Sequence, residues 1–394
     1  MPLLSAIIPT HNRQRYAINA ITTILTNFPD TEVVVSDTSD TMQIAEELGH
    51  WIESGRLIYH HPQRPMDVVS NFQSGLHLAT GDYLIFLGDD DCLGPGAEEL
   101  ARWARDMQVE AAACSLGAAY FWPDFKSLYF GADFTAKLTV QPFAATISPL
   151  DGPQVLQQAL KNLGTGVMSM PRAYLGMMSR ALAERIEQKY GSLFGGVSPD
   201  IYSAALIAEE SRSSVQIDFP FIIAGSSGGS TSGQSAEGGH KGGLRDNAHI
   251  GAFTNLVWDP LIPEFYSVPT VWSYSFKAAI DKIGKAEYRP NLPRLYAKCC
   301  LHHPKYWRET KASLCAYIQR ERYSPACLAF VWELLREFSR RAYRFMQIKF
   351  KPAINRQAYA QQNLTNIGEA YAHLLTHVQP SLSQLQSAMK EFKR

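Results

Sequence analysis

Short apolar runs that stop at polar clusters recur through the first third of the chain. Leu4-Ser5-Ala6-Ile7-Ile8-Pro9 predicts a strand ending at Pro9, and Thr10-His11-Asn12 a polar turn. Thr10 or Asn12 can cap the helix that follows. In that helix Ala17, Ile21, Ile24 and Phe28 share one face. Glu32-Val33-Val34-Val35-Ser36-Asp37 predicts a second, buried strand, and residues 57–61 a third after a short helix. Val69, Phe72, Leu76 and Ala79 mark another helix face. Gly94-Pro95-Gly96 opens a helix with Ala97, Leu100, Ala101 and Ala104 inward, and residues 111–120 return as a strand. Strand and helix alternate with short links, which predicts an α/β class: a Rossmann-like, mostly parallel sheet covered by helices on both faces.

The stretch Tyr83-Leu84-Ile85-Phe86-Leu87-Gly88 runs straight into Asp89-Asp90-Asp91. Side chains alternate faces along a strand, so a buried strand ending this way cannot hide all three carboxylates. Like charges so close need a cationic neutraliser. A divalent metal carrying a diphosphate is the simplest, since hard cations prefer carboxylate and phosphate oxygens. The plain alternative is a hydrated acidic turn. In doubly wound sheets ligands sit beyond the carboxyl ends of the strands. Residues 10–12, 37–39 and 89–91 each lie at such an end, so the three clusters converge on one rim.

Four blocks carry a resemblance. Ile7-Ile8-Pro9-Thr10-His11-Asn12-Arg13, Val34-Val35-Ser36-Asp37-Thr38-Ser39-Asp40, Ala79-Thr80-Gly81-Asp82-Tyr83 and Phe86-Leu87-Gly88-Asp89-Asp90-Asp91 occur in the order and approximate spacing of a family 2 glycosyltransferase. The chain resembles that family over residues 1–115. The resemblance implies a GT-A-like fold and an inverting transferase using a nucleotide-diphospho-sugar donor, with Mn or Mg on the diphosphate. It also implies that Pro9, Thr10 and Asn12 line the nucleotide pocket and that Asp37 accepts from the base or ribose. Asp37 also reads as a cap for the helix after it. Asp89 and Asp91 are expected to ligate the metal, with Asp90 nearer the ribose. Gly88 departs from the pattern, standing where many members have their first Asp.

Farther along, Ser198-Pro199-Asp200 reads as N-cap, first position and first turn of a helix whose stripe is Ile201, Ala204, Ala205 and Ala208. An inverting transfer needs a carboxylate to take the acceptor hydroxyl's proton. The family places its base at the start of such a helix, which implies Asp200 here; the alternative is that Asp200 only complements the helix dipole. Glu209, Glu210 and Asp218 read more readily as surface.

Phe121-Trp122-Pro123-Asp124 and the alternating stretch 128–140 suggest an antiparallel hairpin or lid. Residues 174–179 read as a strand entering another helix, and 215–224 as one more strand. The Gly/Ser-rich stretch 225–245 reads equally as a linker or as a loop closing on the donor diphosphate, with His240 a further phosphate or metal contact. These divisions give a catalytic domain over 1–224 (nucleotide-sugar half 1–115, acceptor half 116–224) and a helical C-terminal region over 246–394. In it Leu328, Val331, Trp332 and Leu335 form one face, Ile367, Ala370, Tyr371 and Leu374 another, and Leu382, Leu385, Met389 and Phe392 a third, as in a small bundle docked on the catalytic domain or on a second copy. Basic and aromatic residues interleave over 336–351, which reads as a core helix with a basic outer face or as a peripheral membrane contact.

Composition narrows these readings. Lys+Arg and Asp+Glu both number 37 of 394 residues, so no global field draws the chain to nucleic acid. The six Cys show no CxxC spacing, which argues against a zinc site or disulfide framework and suits the cytoplasm. No apolar run approaches the roughly 18–20 residues that span a bilayer. The expected protein is therefore a cytoplasmic hexosyl- or related transferase, peripheral at most, acting on a polysaccharide or glycolipid acceptor. Two rivals share the sheet and carboxylates: a sugar nucleotidyltransferase, and a silent sugar- or partner-binding protein. The first should carry a Gly-rich basic loop after its first strand, where this chain has Pro9-Thr10-His11-Asn12.

Overall fold

The computed structural model describes residues 2–392 apart from 116, 128–133, 164, 231–240, 322 and 351–358, and the side chains of 323, 324, 344, 345 and 347–350. His240 lies outside the described residues, as do the side chains of Arg344, Phe345, Ile348, Lys349, Phe350 and Lys351.

The N-terminal half runs β1 (Leu4–Thr10), α1 (Gln14–Asn27), β2 (Thr31–Asp37), α2 (Gln43–Glu53), β3 (Leu57–His60), α3 (Val68–Leu78), β4 (Tyr83–Phe86), β5 (Cys92–Leu93) and α4 (Ala97–Asp106). Next come β6 (Ala111–Cys114), β7 (Ala118–Phe121), β8 (Lys137–Val140), β9 (Thr146–Leu150), α5 (Gly152–Lys161), β10 (Gly176–Ser179), α6 (Arg180–Tyr190) and α7 (Pro199–Glu210). β11 (Ser214–Asp218), β12 (Ile222–Ser226), β13 (Gly242–Gly243), α8 (Ala248–Gly251), β14 (Phe265–Tyr266), α9 (Val268–Ile283) and α10 (Leu292–His302) follow. The chain ends with α11 (Trp307–Arg320), α12 (Tyr323–Phe350), β15 (Tyr359–Gln361) and α13 (Ile367–Glu391).

The large sheet has the order β3-β2-β1-β4-β10-β6-β11-β9. β1 to β4 are mutually parallel as expected, and β10 enters antiparallel between β4 and β6. Period-two alternation splits the core in two. Ala6, Ile8, Val33 and Val35 face one layer with α1, α2, α4 and α13, while Ile7 and Val34 face the other with α3, α7 and α9. All these side chains are fully enclosed.

A second sheet, β15-β8-β7-β12-β5, differs from the expectation. The predicted strands 111–120 and 215–224 are each two strands, β6 with β7 and β11 with β12, because the chain leaves the large sheet midway and joins the smaller one. β4 passes into β5 in the same way. The crossings from β4 to β5 and from β11 to β12 build the site.

The C-terminal region does not form one bundle. β15 pairs with β8, and α13 packs on α1, with Phe28 and Tyr371 edge to face at 5.5 Å. Its stripe Ile367, Ala370, Tyr371 and Leu374 is buried as predicted. The stripe Leu328, Val331, Trp332 and Leu335 is not; it is exposed, because α12 docks on α10 through its opposite face.

Candidate functional site

Where β4 ends, Leu87 N–H still donates to Ile7 O at 2.9 Å, and then residues 88–91 turn sharply. Asp91 N–H donates to Gly88 O at 3.1 Å, and Gly88 N–H returns to Asp91 Oδ2 at 2.7 Å. The same oxygen accepts from Tyr174 Oη at 2.9 Å, and Asp91 Oδ1 accepts from Gly225 N–H at 2.6 Å. Both Asp91 oxygens therefore clamp the crossing from β4 to the β12 strand. This explains the departure at position 88: a Cβ there would meet Asp91 Oδ2 at 2.9 Å and Tyr174 Oη at 3.0 Å. Gly225 is required for closeness too, since its Cβ would stand 1.8 Å from Asp90 O.

Asp89 and Asp90 share a cation from the protein itself. Arg13, at the start of α1, sets Nη1 2.8 Å from Asp89 Oδ1 and Nη2 3.0 Å from Asp90 Oδ2. Thr10 Oγ1 donates to Asp89 Oδ2 at 2.8 Å. Ser227 donates its N–H (3.0 Å) and Oγ (2.7 Å) to Asp90 Oδ2, and Arg13 Nη2 donates to Ser227 Oγ at 2.7 Å. The first part of the Gly/Ser stretch is thus a turn, Ser227 to Ser230, fastened to the acidic run. Asp90 Oδ1 has no hydrogen-bond partner among the described residues. Burial pushes the Asp89 carboxyl up against the pull of Arg13. Burial does the same to Asp91, reinforced by the charge of Asp90.

The three carboxylates thus divide their work differently from the expectation. Asp91, expected as a metal ligand, is a clamp, and Asp89 has both oxygens held by Arg13 and Thr10. Hard cations such as Mg keep several waters and take one or two carboxylates plus phosphate oxygens. Asp90 Oδ1 is the oxygen of the triplet that fits this role.

Along the same rim Asp37 is fully enclosed, its Oδ1 accepting from Ser39 N–H at 2.9 Å and its Oδ2 from Tyr59 Oη at 3.0 Å. It does not cap α2, which begins after Met42 without a side-chain cap. Asn12 adopts a left-handed backbone (φ 55°) and joins the 10–13 loop to the 37–40 loop, its Oδ1 accepting from Asp40 N–H at 2.9 Å. Neither Thr10 nor Asn12 caps α1. Pro9 is half-buried beside them.

Asp200 sits in the first turn of α7, half-buried. Burial raises its pKa; the Ile201 N–H and the Arg172 charge act in the other direction. Ser198 makes no side-chain cap. Instead Ser275 Oγ of α9 accepts from Val197 N–H (3.0 Å) and Ser198 N–H (2.9 Å), fixing the loop that presents Asp200. Phe194 in that loop packs edge-on against Phe86 at 4.8 Å, which ties it to the end of β4. Tyr174 links the two halves, because the charges of Asp91, Asp90 and Asp200 all raise its already burial-raised pKa. Arg172 is 5% exposed; its Nε is unpartnered and its Nη1 lies 3.5 Å from Met168 Sδ. Glu209, Glu210 and Asp218 are engaged elsewhere, with Lys285, Lys189 and Ala144 N–H.

Arg13, Arg172, Tyr174 and Ser227 were not among the residues expected from the sequence. One signal existed for Arg13: a cation at a helix N-terminus opposes the helix dipole and calls for an acidic partner. The others come from distant segments and left no local trace.

Residues 5–163 match the family described as Glycosyl transferase family 2. Over 105 residues the chain is 37% identical to the GalNAc(5)-diNAcBac-PP-undecaprenol beta-1,3-glucosyltransferase of Campylobacter jejuni, covering 25% of this chain and 32% of that protein. Over 117 residues it is 28% identical to the abequosyltransferase RfbV of Salmonella typhimurium, covering 28% and 35%. The matches therefore span about a third of each relative. Among solved structures, S. aureus TarS 1-349 in complex with UDP-GlcNAc aligns with a TM-score of 0.50 at 13% identity, covering 92% of this chain and 98% of TarS. That likeness shows the fold.

Proposed function

We propose, from the match of residues 5–163 to glycosyl transferase family 2, that the chain is a glycosyltransferase moving a sugar from a nucleotide-diphosphate donor to an acceptor hydroxyl with inversion. The single observation that carries this reading is that the acidic run Asp89 to Asp91 and the loop presenting Asp200 are tied to the same strand end, through Phe194 packed on Phe86 at 4.8 Å. In the transfer the acceptor oxygen attacks the anomeric carbon in line. The bond from that carbon to the diphosphate oxygen breaks, and the electron pair leaves with the diphosphate. Asp200 takes the hydroxyl proton, a role suited to a carboxylate whose pKa burial has raised. Arg172 offers its unpartnered Nε–H to the charge that develops on the leaving diphosphate.

The nucleoside would lie against the 10–13 and 37–40 loops, with Pro9, Thr10 and Asn12 forming its floor and Asp37 holding the rim rigid. A divalent cation, Mn or Mg, would be held by Asp90 and would stabilise the leaving diphosphate when bound. Arg13 orients Asp89 and Asp90 through its two Nη atoms, at 2.8 and 3.0 Å. The acceptor is a polysaccharide or lipid-linked saccharide. This rests on the name of the Campylobacter jejuni relative, which acts on a PP-undecaprenol saccharide.

The test is nucleotide release from a panel of nucleotide sugars, with and without Mn, alongside thermal shifts for donor binding. Wild type should be stabilised by at least one donor and turn it over, and Asp200→Asn should keep the shift and lose the turnover. Absence of any donor shift or release across the panel would sink the reading.

A further inference from the structure

Helix α12 presents to solvent the face expected to be core. Leu328 (71% exposed), Val331, Trp332 (67%), Leu335, Phe338, Tyr343 and Met346 follow i, i+3, i+4, i+7 spacing along one stripe. The opposite face holds the helix down: Glu333 and Glu337 are buried and take the Arg294 guanidinium at 2.9 and 3.0 Å. Both acids of α12 are thereby paired at its buried side, Glu333 also with Arg336 at 3.2 Å and Glu337 with His302 at 3.4 Å. The charged side chains that it exposes, among those described, are all arginine: Arg336, Arg340 and Arg341. A contiguous exposed apolar stripe of this length marks a contact surface. Apolar and aromatic residues flanked only by cations fit an anionic lipid surface. A two-fold contact with a second copy would set arginine against arginine with no exposed acid on the helix to answer it.

We propose that α12 lies on the surface of an anionic bilayer, burying Trp332, Leu335 and Phe338 between the headgroups. Arg340 and Arg341 supply the electrostatic attraction. This orientation holds the rest of the chain at the membrane face without spanning it; among the described residues no helix is long and apolar enough to cross. The inference stands on α12 alone and does not require the sugar-transfer reading, so the two fail separately.

Co-sedimentation of the full chain with vesicles tests it. Vesicles of phosphatidylcholine with about a third phosphatidylglycerol should bind it several-fold more than phosphatidylcholine alone, and high salt should release it. Arg340→Glu with Arg341→Glu should weaken binding at least about fivefold for each arginine. Trp332→Ser with Phe338→Ser should abolish it. These side chains are solvent-exposed, so unchanged circular dichroism and melting should accompany the loss. Equal partition onto neutral and anionic vesicles, or binding untouched by either double variant, overturns the proposal. So does a dimer seen by light scattering that Trp332→Ser with Phe338→Ser dissolves while vesicles bind no wild-type protein.

Discussion

At the residue scale, Asp91 and Asp200 are both carboxylates with pKa values raised by burial, yet their surroundings assign them opposite tasks. Asp91 accepts three hydrogen bonds from protein donors, so it fixes geometry. Asp200, in the first turn of α7, is held in no ion pair among the described residues, so it can take a proton. Asp200→Asn should reduce kcat by about a hundred- to ten-thousandfold while leaving donor affinity within a few-fold. A base works only when ionised. In wild type kcat/KM should therefore fall as pH drops through a pKa above the ordinary carboxylate range, and rise to a plateau at higher pH. A pH–rate profile whose acid limb sits at the usual Asp value, or survives unchanged in Asp200→Asn, would remove Asp200 from the mechanism. Gly225→Ala should cost at least about 1–3 kcal/mol in melting stability, because the added methyl would overlap backbone atoms of Asp90, O at 1.8 Å and C at 2.4 Å, and the backbone must shift to admit it.

At the scale of elements, the site depends on helices that carry no catalytic group. α9 contributes Ser275, whose hydroxyl oxygen satisfies two N–H groups just before α7. Ser275→Ala leaves both buried donors unmet, which should cost about 1–3 kcal/mol for each. On the proposed reading it should also lower kcat more than it raises KM, since the loop presenting Asp200 is displaced and the 10–13 loop is not. A thermal melt and a kcat-against-KM comparison read the two effects separately. The stripe on α12 shows the limit of periodicity at this scale. Spacing of i, i+3, i+4 establishes that one face is apolar, but says nothing about what covers it. The same pattern buries Ile367, Ala370, Tyr371 and Leu374 and exposes Leu328, Val331, Trp332 and Leu335.

At the scale of the whole molecule, the C-terminal helices serve two different masters. α13 and β15 return to the N-terminal half and complete its core, while α12 hangs on α10 through the Arg294 ion pairs. Arg294→Ala removes the cation shared by two buried carboxylates, leaving Glu333 with Asn291 and Arg336 and Glu337 with His302, and should destabilise by about 3 kcal/mol, the low end for breaking a buried pair. A distinct early transition in calorimetry, with the donor-induced shift of the remaining structure intact, would show that α12 melts apart from the catalytic half. The parallel sheet, its rim and the four motif blocks were legible in the chain because they are local: alternation sets the faces, and strand ends set the rim. The separate second sheet was not, since the chain passes from one sheet to the other between Cys114 and Ala118 and between Asp218 and Ile222 without a change in hydropathy. The sequence by itself determined that carboxylates and polar turns would gather at one edge of an α/β sheet. Only the tertiary structure decided which carboxylate is clamped by Gly225, which is held by Arg13, which keeps an open oxygen, and which apolar stripe faces water. Those outcomes depend on partners brought from distant parts of the chain, and a carboxylate's task is set by its partners rather than by its own identity.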